Sequence, residues 1–327
     1  MPWGKKRKEM KILIIPDVHL KPHIIDEAAQ CMCSGNYDIA VFLGDFVDDW
    51  EQQRNIKAYN DTFDALDEFL RQYPDTLICY GNHDLSYVWE ELETGYSAYA
   101  HDTVLTRLHE IYKNHGTSRW KIVHKIDDVL FSHAGITVEF LKKNRLSKKS
   151  TDEIAAKINE MGKDKLWHDP SPIWARPGNY TFHNACLQVV GHTPVSQPTY
   201  YQSQRLLVAD NYSTYSTGKA IGTKQMVWVD TKSLEMGVIN DTLSEMGGIR
   251  ITNHILGHPI YQEGQIVIFR THKGLQKGKI AIVDAYGAAG QKEEPSYDIY
   301  AEEDKALYKH IRESEISASQ CRKRDKR

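Results

Sequence analysis

The chain has 327 residues, 41% of them hydrophobic and 26% charged, and its 41 Lys+Arg against 44 Asp+Glu leave a formal charge of −3. That composition excludes wholesale disorder, collagen and coiled coil, and a chain this long buries most of its apolar surface without disulfide staples. No global basic field marks it for nucleic acid, and at roughly 150 residues per domain the length suggests about two domains.

Residues 1–10 form a basic N-terminal segment (Lys5, Lys6, Arg7, Lys8). The apolar run after it is only Ile12-Leu13-Ile14-Ile15 before Pro16-Asp17, too short for a secretory segment. No apolar stretch reaches the roughly 18 residues of a transmembrane helix, so a soluble, cytoplasmic protein without membrane contact is expected. The five cysteines (31, 33, 79, 186, 321) are odd in number and irregularly spaced, which fits reduced thiols and no zinc motif. Cys31-x-Cys33 falls on a helix, where i and i+2 do not share a face.

Lys11 to Ile15 reads as a buried strand, Ile24 to Met32 as a helix and Ile39 to Leu43 as a second strand closed by Gly44-Asp45. Ile56, Tyr59, Phe63, Leu66 and Leu70 recur at helical spacing. Thr76 to Tyr80 is a third strand, ended by a turn Gly81-Asn82-His83-Asp84, and a helix follows from about Thr103 to Asn114. Lys121 to His124 and Val129 to Phe131 form a hairpin-like pair, and Leu187 to Val190 is a strand leading into Gly191-His192. Strands alternating with helices predict an α/β layered fold over 11–240, with polar clusters beyond the strands' carboxyl ends, where ligands bind in such folds. Residues 241–258 read as a linker. Residues 259–318 read as a small β module, SH3-like or barrel-like, built from Gln265 to Arg270, Lys279 to Asp284, Ser296 to Glu302 and Leu307 to Ile311. Residues 319–327 are a basic tail, better read as solubilising than as a nucleic-acid contact.

Five polar blocks stand at strand ends: Asp17-x-His19, Gly44-Asp45-x-x-Asp48, Gly81-Asn82-His83-Asp84, Ser132-His133 and Gly191-His192. Asp-x-His alone is weak, but Gly-Asn-His followed by an acid should arise by chance on the order of once in 10⁵ positions. Carboxylate and imidazole together suit Mn²⁺, Fe or Zn²⁺. Two such ions about 3.5–4 Å apart share a bridging carboxylate, clamp a phosphate and activate a water, while a positioned acid protonates the leaving oxygen.

These blocks resemble the calcineurin-like metallophosphoesterase superfamily, and most of all its branch of Ser/Thr phosphoprotein phosphatases and symmetrical diadenosine tetraphosphatases of bacterial or phage type. The likeness covers about Lys11 to Asp230. It implies a two-sheet α/β sandwich flanked by helices, two divalent ions with Mn²⁺ the first choice, and a phosphorylated protein or nucleotide as substrate. It implies Asp17 and His19 as ligands of the first ion, Asp45 as the bridge, and Asn82, His133 and His192 as ligands of the second. A hydroxide bridging the ions would be the nucleophile and His83 the acid, oriented by Asp48 or, as a second candidate, Asp84. Asn82 would also meet the substrate.

Leu166-Trp-His-Asp-Pro170 and Trp174-Ala-Arg176 are similar to phosphatase segments, the second bearing a phosphate-binding arginine, here Arg176. Asp210-Asn-Tyr212 falls where that branch places an Asn-Tyr near the pocket, making Tyr212 a candidate substrate contact. Gly191-His192-Thr193-Pro194 lacks the Gly-His-x-His of phosphodiesterase branches, which favours a phosphomonoesterase. Where phosphoprotein phosphatases carry Arg-Gly this chain has Asp49-Trp50, and where they carry an Arg before Gly-Asn-His it has Tyr80. Asp84-Leu85 and Ala134-Gly-Ile-Thr137 resemble the diadenosine tetraphosphatases, so a dinucleoside polyphosphate hydrolase is the alternative. A non-catalytic metal-binding interaction protein is the other, against which the complete ligand set counts.

Overall fold

The computed structural model describes residues 10–239, 248–252, 259–271, 274–284, 295–301, 303 and 305–318. The chain divides into two compact units, Met1–Ala175 with Tyr180–Asn253, and Arg176–Asn179 with His254–Arg327.

In the larger unit the elements run β1 (Lys11–Ile15), α1 (Pro22–Cys33), β2 (Ile39–Phe42), α2 (Ile56–Gln72), β3 (Leu77–Cys79), α3 (Asn82–Val88) and α4 (His101–His115). They continue through β4 (Trp120–Lys121), β5 (Val123–Ile126), β6 (Val129–Ser132), α5 (Val138–Lys143), α6 (Thr151–Asn159) and α7 (Lys163–Leu166). The last are β7 (Leu187–Val190), β8 (Thr199–Tyr201), β9 (Leu206–Val208), β10 (Val227–Asp230), β11 (Met236–Val238) and β12 (Arg250–Thr252). Two six-stranded mixed sheets result, in the orders β11-β10-β1-β2-β3-β4 and β12-β8-β9-β7-β6-β5.

The two sheets face each other. Alternation along β1 sends Ile12 and Ile14 to a layer they share with Val41, Val129, Phe131 and Val189 from both sheets. Leu13 and Ile15 point the other way, onto α1, α2 and α4 through Ile24, Phe63, Leu66 and Val104. The outer face of the second sheet packs Leu130 against Phe140 of α5 and Ile154 of α6. Strands buried on both faces read as unbroken apolar runs, which is why β1, β2 and β7 were recognisable in the sequence. The expected two-sheet sandwich flanked by helices is therefore present. In α2, Asn55 caps the first turn by accepting the Ala58 N–H, and Phe63, Leu66 and Leu70 are fully buried. Truncating one of them to Ala would cost roughly 2–5 kcal/mol.

Two expectations change. Gly81 to Asp84 is no free turn, because Asn82 opens α3 and Asp84 lies in its first turn. Within the stretch read as a linker, Arg250–Thr252 forms β12 and pairs in parallel with β8. Most of that stretch, nearly all of the N-terminal segment and the basic tail lie outside the described residues.

The smaller unit carries β13 (Ile266–Thr271), β14 (Gly274–Asp284), β15 (Ser296–Ala301), β16 (Ala306–Arg312) and β17 (Ile316–Ala318). They form one antiparallel sheet in the order β16-β15-β14-β13-β17, so the last strand returns beside the first. Alternating Val267 and Phe269 bury their side chains with Ile280, Tyr297, Ile299 and Ile316. Bulges between Ile280 and Ile282 and between Tyr297 and Ile299 shift the register, as strongly twisted small sheets require.

Candidate metal centre

β1, β2 and β3 run parallel in one sheet and β6 and β7 run parallel in the other, so the five polar blocks leave their strands in company. The turns are tight. His19, Asp45, Asp48 and His192 all adopt left-handed backbone, with φ of 45°, 53°, 64° and 61°. Each such non-glycine residue is disfavoured, and clustered strain of this kind marks functional loops. Glycines let the turns close. A Cβ on Gly81 would sit 1.9 Å from Asp45 Oδ1, and one on Gly191 would sit 2.1 Å from Asp17 Oδ1.

Asp45 lies at the centre. Its Oδ1 accepts the His83 backbone N–H at 2.9 Å. Its Oδ2 lies 3.8 Å from His19 Nε2 on one side and 3.2 Å from His133 Nε2 on the other. Both imidazoles are turned by their other nitrogen, since His19 Nδ1 donates to the Asp48 carbonyl at 2.8 Å and His133 Nδ1 to the Leu43 carbonyl at 2.8 Å. That orients each ring with Nε2 toward the carboxylate, where the neutral His19 presents a lone pair. Asp17 Oδ2 is 3.9 Å from His19 Nε2, and the Asp17 carboxylate is held by the His192 backbone N–H at 3.0 Å. Around His133 Nε2 stand Asn82 Oδ1 at 2.9 Å and His192 Nδ1 at 3.1 Å. The arrangement thus brings Asp17, His19, Asp45, Asn82, His133 and His192 together.

The donor set fits divalent cations. Carboxylate, amide oxygen and imidazole lone pairs are all acceptors, and they converge in groups such as Asp45, His133 and His192 with ligand atoms within 4.8 Å of one another. One proton cannot serve them all. Five aspartate carboxylates, those of Asp17, Asp45, Asp48, Asp84 and Asp210, are buried in this region. Burial, reinforced by Asp210, raises Asp17 well above the ordinary range. Burial likewise raises Asp84 and Asp210 to about 6. Asp45 is held low: burial opposes its charge, but His133 and His83 outweigh it. Burial would depress His133, yet Asp45 and Asp17 push it up to about 9. Burial lowers His19 to about 4, which favours the neutral imidazole. A pocket with surplus buried negative charge calls for bound positive charge.

His83 has its own set of partners. Its Nδ1 lies 3.1 Å from Asp48 Oδ2 and 2.7 Å from Glu93 Oε1. Asp48 Oδ1 in turn accepts the hydroxyls of Tyr59 at 3.0 Å and Tyr87 at 2.6 Å. Burial opposes a charged imidazole, but Glu93, Asp45 and Asp48 overcome it and raise His83 well above its ordinary value. In the ion-free chain these carboxylates favour the protonated ring, the form that a proton donor needs. Glu93 was not singled out in the sequence, where it stands in the stretch Glu90-Glu91-Leu92-Glu93 without a distinguishing signal.

Five residues singled out in the sequence are corrected or placed more closely. Asp84 does not orient His83: its carboxylate accepts the backbone N–H groups of Asp45 (2.8 Å), Phe46 (2.9 Å) and Gly81 (3.0 Å) and so fastens the Asp45 turn. Tyr212 is no substrate contact, because its ring is buried in the helix-side core and its hydroxyl donates to Glu27 at 2.7 Å. Asp49 is paired with Lys21 Nζ at 3.0 Å, while Tyr80 turns to the Tyr112 hydroxyl at 2.9 Å. Arg176 is half-buried and groups with the smaller unit.

The family model for calcineurin-like phosphoesterases matches residues 10–218. No curated protein matches the sequence. Among solved structures, a cold-active protein tyrosine phosphatase is 19% identical with a TM-score of 0.44, over 71% of this chain and 79% of that one. A metallophosphoesterase from Sphaerobacter thermophilus is 15% identical with a TM-score of 0.38, over 71% and 89%.

Proposed function

Because the chain belongs to the calcineurin-like phosphoesterase family, and is thereby a metal-dependent phosphoric ester hydrolase, we propose that it is a phosphomonoesterase with His83 as its general acid. The observation that carries this reading is the placement of Asp45 Oδ2 between His19 Nε2 and His133 Nε2, with His83 held by the same residue's Oδ1. Asp17, His19 and Asp45 would hold one divalent ion, and Asp45, Asn82, His133 and His192 a second. Mn²⁺ is the first choice for this mixture of oxygen and imidazole donors. When bound, the ions supply Lewis-acid activation of water and of the phosphate.

The chain's own residues do the rest. The carboxylates of Asp48 and Glu93 grip His83 Nδ1 and keep the ring cationic, so that Nε2 delivers the proton to the leaving oxygen. The Tyr59 and Tyr87 hydroxyls fix Asp48 in turn. The features shared with diadenosine tetraphosphatases have uses within the fold: Thr137 caps α5 by accepting the Phe140 N–H, and Gly135 packs beneath the Phe182 ring. The dinucleoside polyphosphate hydrolase stays the alternative reading. Among the described residues no helix is long and apolar enough to cross a membrane, and Cys31, Cys33, Cys79 and Cys186 are free thiols. We place the enzyme in the cytoplasm on the strength of those thiols.

The test is the initial rate of the Mn²⁺-loaded protein on p-nitrophenyl phosphate beside its bis-ester, with His83→Ala as control. A fast monoester rate that falls by about 10²–10⁴ in the variant, with metal content retained, is expected. A dominant diester rate would reject the monoesterase reading, and full activity in the variant would reject His83 as the acid.

A further inference from the structure

Glu93 lies on the loop between α3 and α4, away from the strand ends that carry Asp17, Asp45, His133 and His192. Its side chain is only 7% exposed. One oxygen meets His83 Nδ1 at 2.7 Å, and the other accepts the Asn82 side-chain N–H at 3.2 Å. The second contact decides which way the Asn82 amide points. A carboxylate only accepts, so it must face Nδ2, and Oδ1 is then turned toward His133 Nε2, 2.9 Å away. Reversed, the amide would aim two N–H donors at a place where only an acceptor can ligate a cation.

The loop is built to hold this carboxylate in place. Gly95 has a φ of 111°, and a Cβ there would come within 3.1 Å of the His83 ring and 3.4 Å of Asp48 Cβ, so the backbone lies against the ring. Two residues on, the Ser97 N–H is accepted by the Tyr87 hydroxyl at 2.9 Å, the same hydroxyl that donates to Asp48. The Ser97 hydroxyl ties back to the Gln53 carbonyl.

We propose that Glu93 is a positioning residue that sets a metal ligand and the proton donor together, holding the Asn82 amide with one oxygen and the His83 ring with the other. The proposal rests on the roles assigned above to Asn82 and His83. Its consequence is that the state of the α3–α4 loop is felt at once in ion affinity and in leaving-group protonation.

Glu93→Gln tests it with little change of shape. A glutamine has one acceptor oxygen for two donors, so it cannot hold both partners. Bound Mn²⁺ per chain, titrated at equilibrium, is expected to show one of the two sites weakened by about 10–100-fold. The kcat on phenyl phosphate, whose leaving group needs protonation, is expected to fall by about 10², with a smaller loss on p-nitrophenyl phosphate, which needs little help. KM should stay within a few-fold of wild type. Glu93→Ala should show the same pair of effects, and a thermal melt of each variant confirms folding. Equal losses on both substrates, an unchanged ion titration, or a change in only one of the two readouts would overturn the proposal. If the wild-type chain hydrolyses no monoester, the functional reading fails, and the ion titration still decides whether Glu93 orients Asn82.

Discussion

Gly81→Ala is the sharpest probe of how the centre is assembled. Gly81 has φ −89° and ψ 169°, a conformation that any residue adopts, so the substitution brings no backbone strain of its own. The difficulty is space. The new methyl would lie 1.9 Å from Asp45 Oδ1, 2.5 Å from the Asp45 nitrogen and 2.7 Å from its Cγ. To restore an ordinary carbon–oxygen contact of roughly 3.4 Å, the carboxylate must retreat by about 1.5 Å. Metal–ligand distances tolerate only about 0.2 Å. Both proposed ion sites share Asp45, so both should fail, and turnover of p-nitrophenyl phosphate should fall by at least 10³. The crowding itself costs about 1–3 kcal/mol, a fall in melting temperature of roughly 3–10 °C, so the chain still folds. Gly162→Ala is the control, because a Cβ there meets nothing within 4 Å and its φ is −93°. Two ions per chain and a wild-type rate in Gly81→Ala would refute the account of the shared carboxylate.

Other consequences can be measured alongside. Asp84→Ala strands the Asp45, Phe46 and Gly81 backbone N–H groups, and should destabilise the ion-free protein by roughly 3–6 kcal/mol in urea titrations. In the ion-free chain His133 rises from about 6.5 to about 9. A folded-state value above the unfolded one contributes stability that is complete below about pH 6.5 and is lost as the pH climbs through 9. Ion binding needs the neutral imidazole, so Mn²⁺ affinity should climb over that same interval with proton release, which calorimetry in buffers of different ionisation heat would detect. His83 is raised above its ordinary value, so the acid form survives past neutrality, and the alkaline fall in kcat should lie well above pH 6.5. Asp48→Asn removes one charge from Nδ1 and should shift that fall to lower pH; an unmoved profile would separate His83 from the titrating group.

What could be read from the sequence follows from what leaves a one-dimensional trace. β1 and β2 are apolar on both faces, β7 is apolar but for the buried Gln188, and α2 repeats its buried positions at helical spacing. Three of the ligand blocks, at Asp45, Asn82 and His192, stood out because they join glycine, needed for close approach, to residues with metal-binding side chains. β12 was invisible because its three residues, Arg250, Ile251 and Thr252, sit at a sheet edge and none is fully buried. Asp84 misled because it neighbours His83 in sequence. On a helix, successive side chains diverge by about 100°, so Asp84 turns to the Asp45 loop while the carboxylates that meet His83 arrive from Asp48 and Glu93. Nothing in the spacing of Glu93 distinguishes it from Glu90 and Glu91; only the tertiary course of its loop does. Tyr212 illustrates the opposite error, since a residue placed near the pocket by resemblance is turned into the core by its own packing.

The origin of the ligands in two different sheets has a consequence for synthesis and assembly. Asp17, His19, Asp45 and Asn82 come from the first sheet and emerge early from the ribosome, whereas His133 and His192 come from the second and emerge later. A nascent chain that has finished β3 therefore carries the acidic half of the centre with none of the imidazoles that close it. The second ion can be captured only after β7 has docked, about 110 residues later. An ion held there would clasp two layers otherwise joined by apolar side chains, so ion loading would add to the stability of one sheet packed on the other.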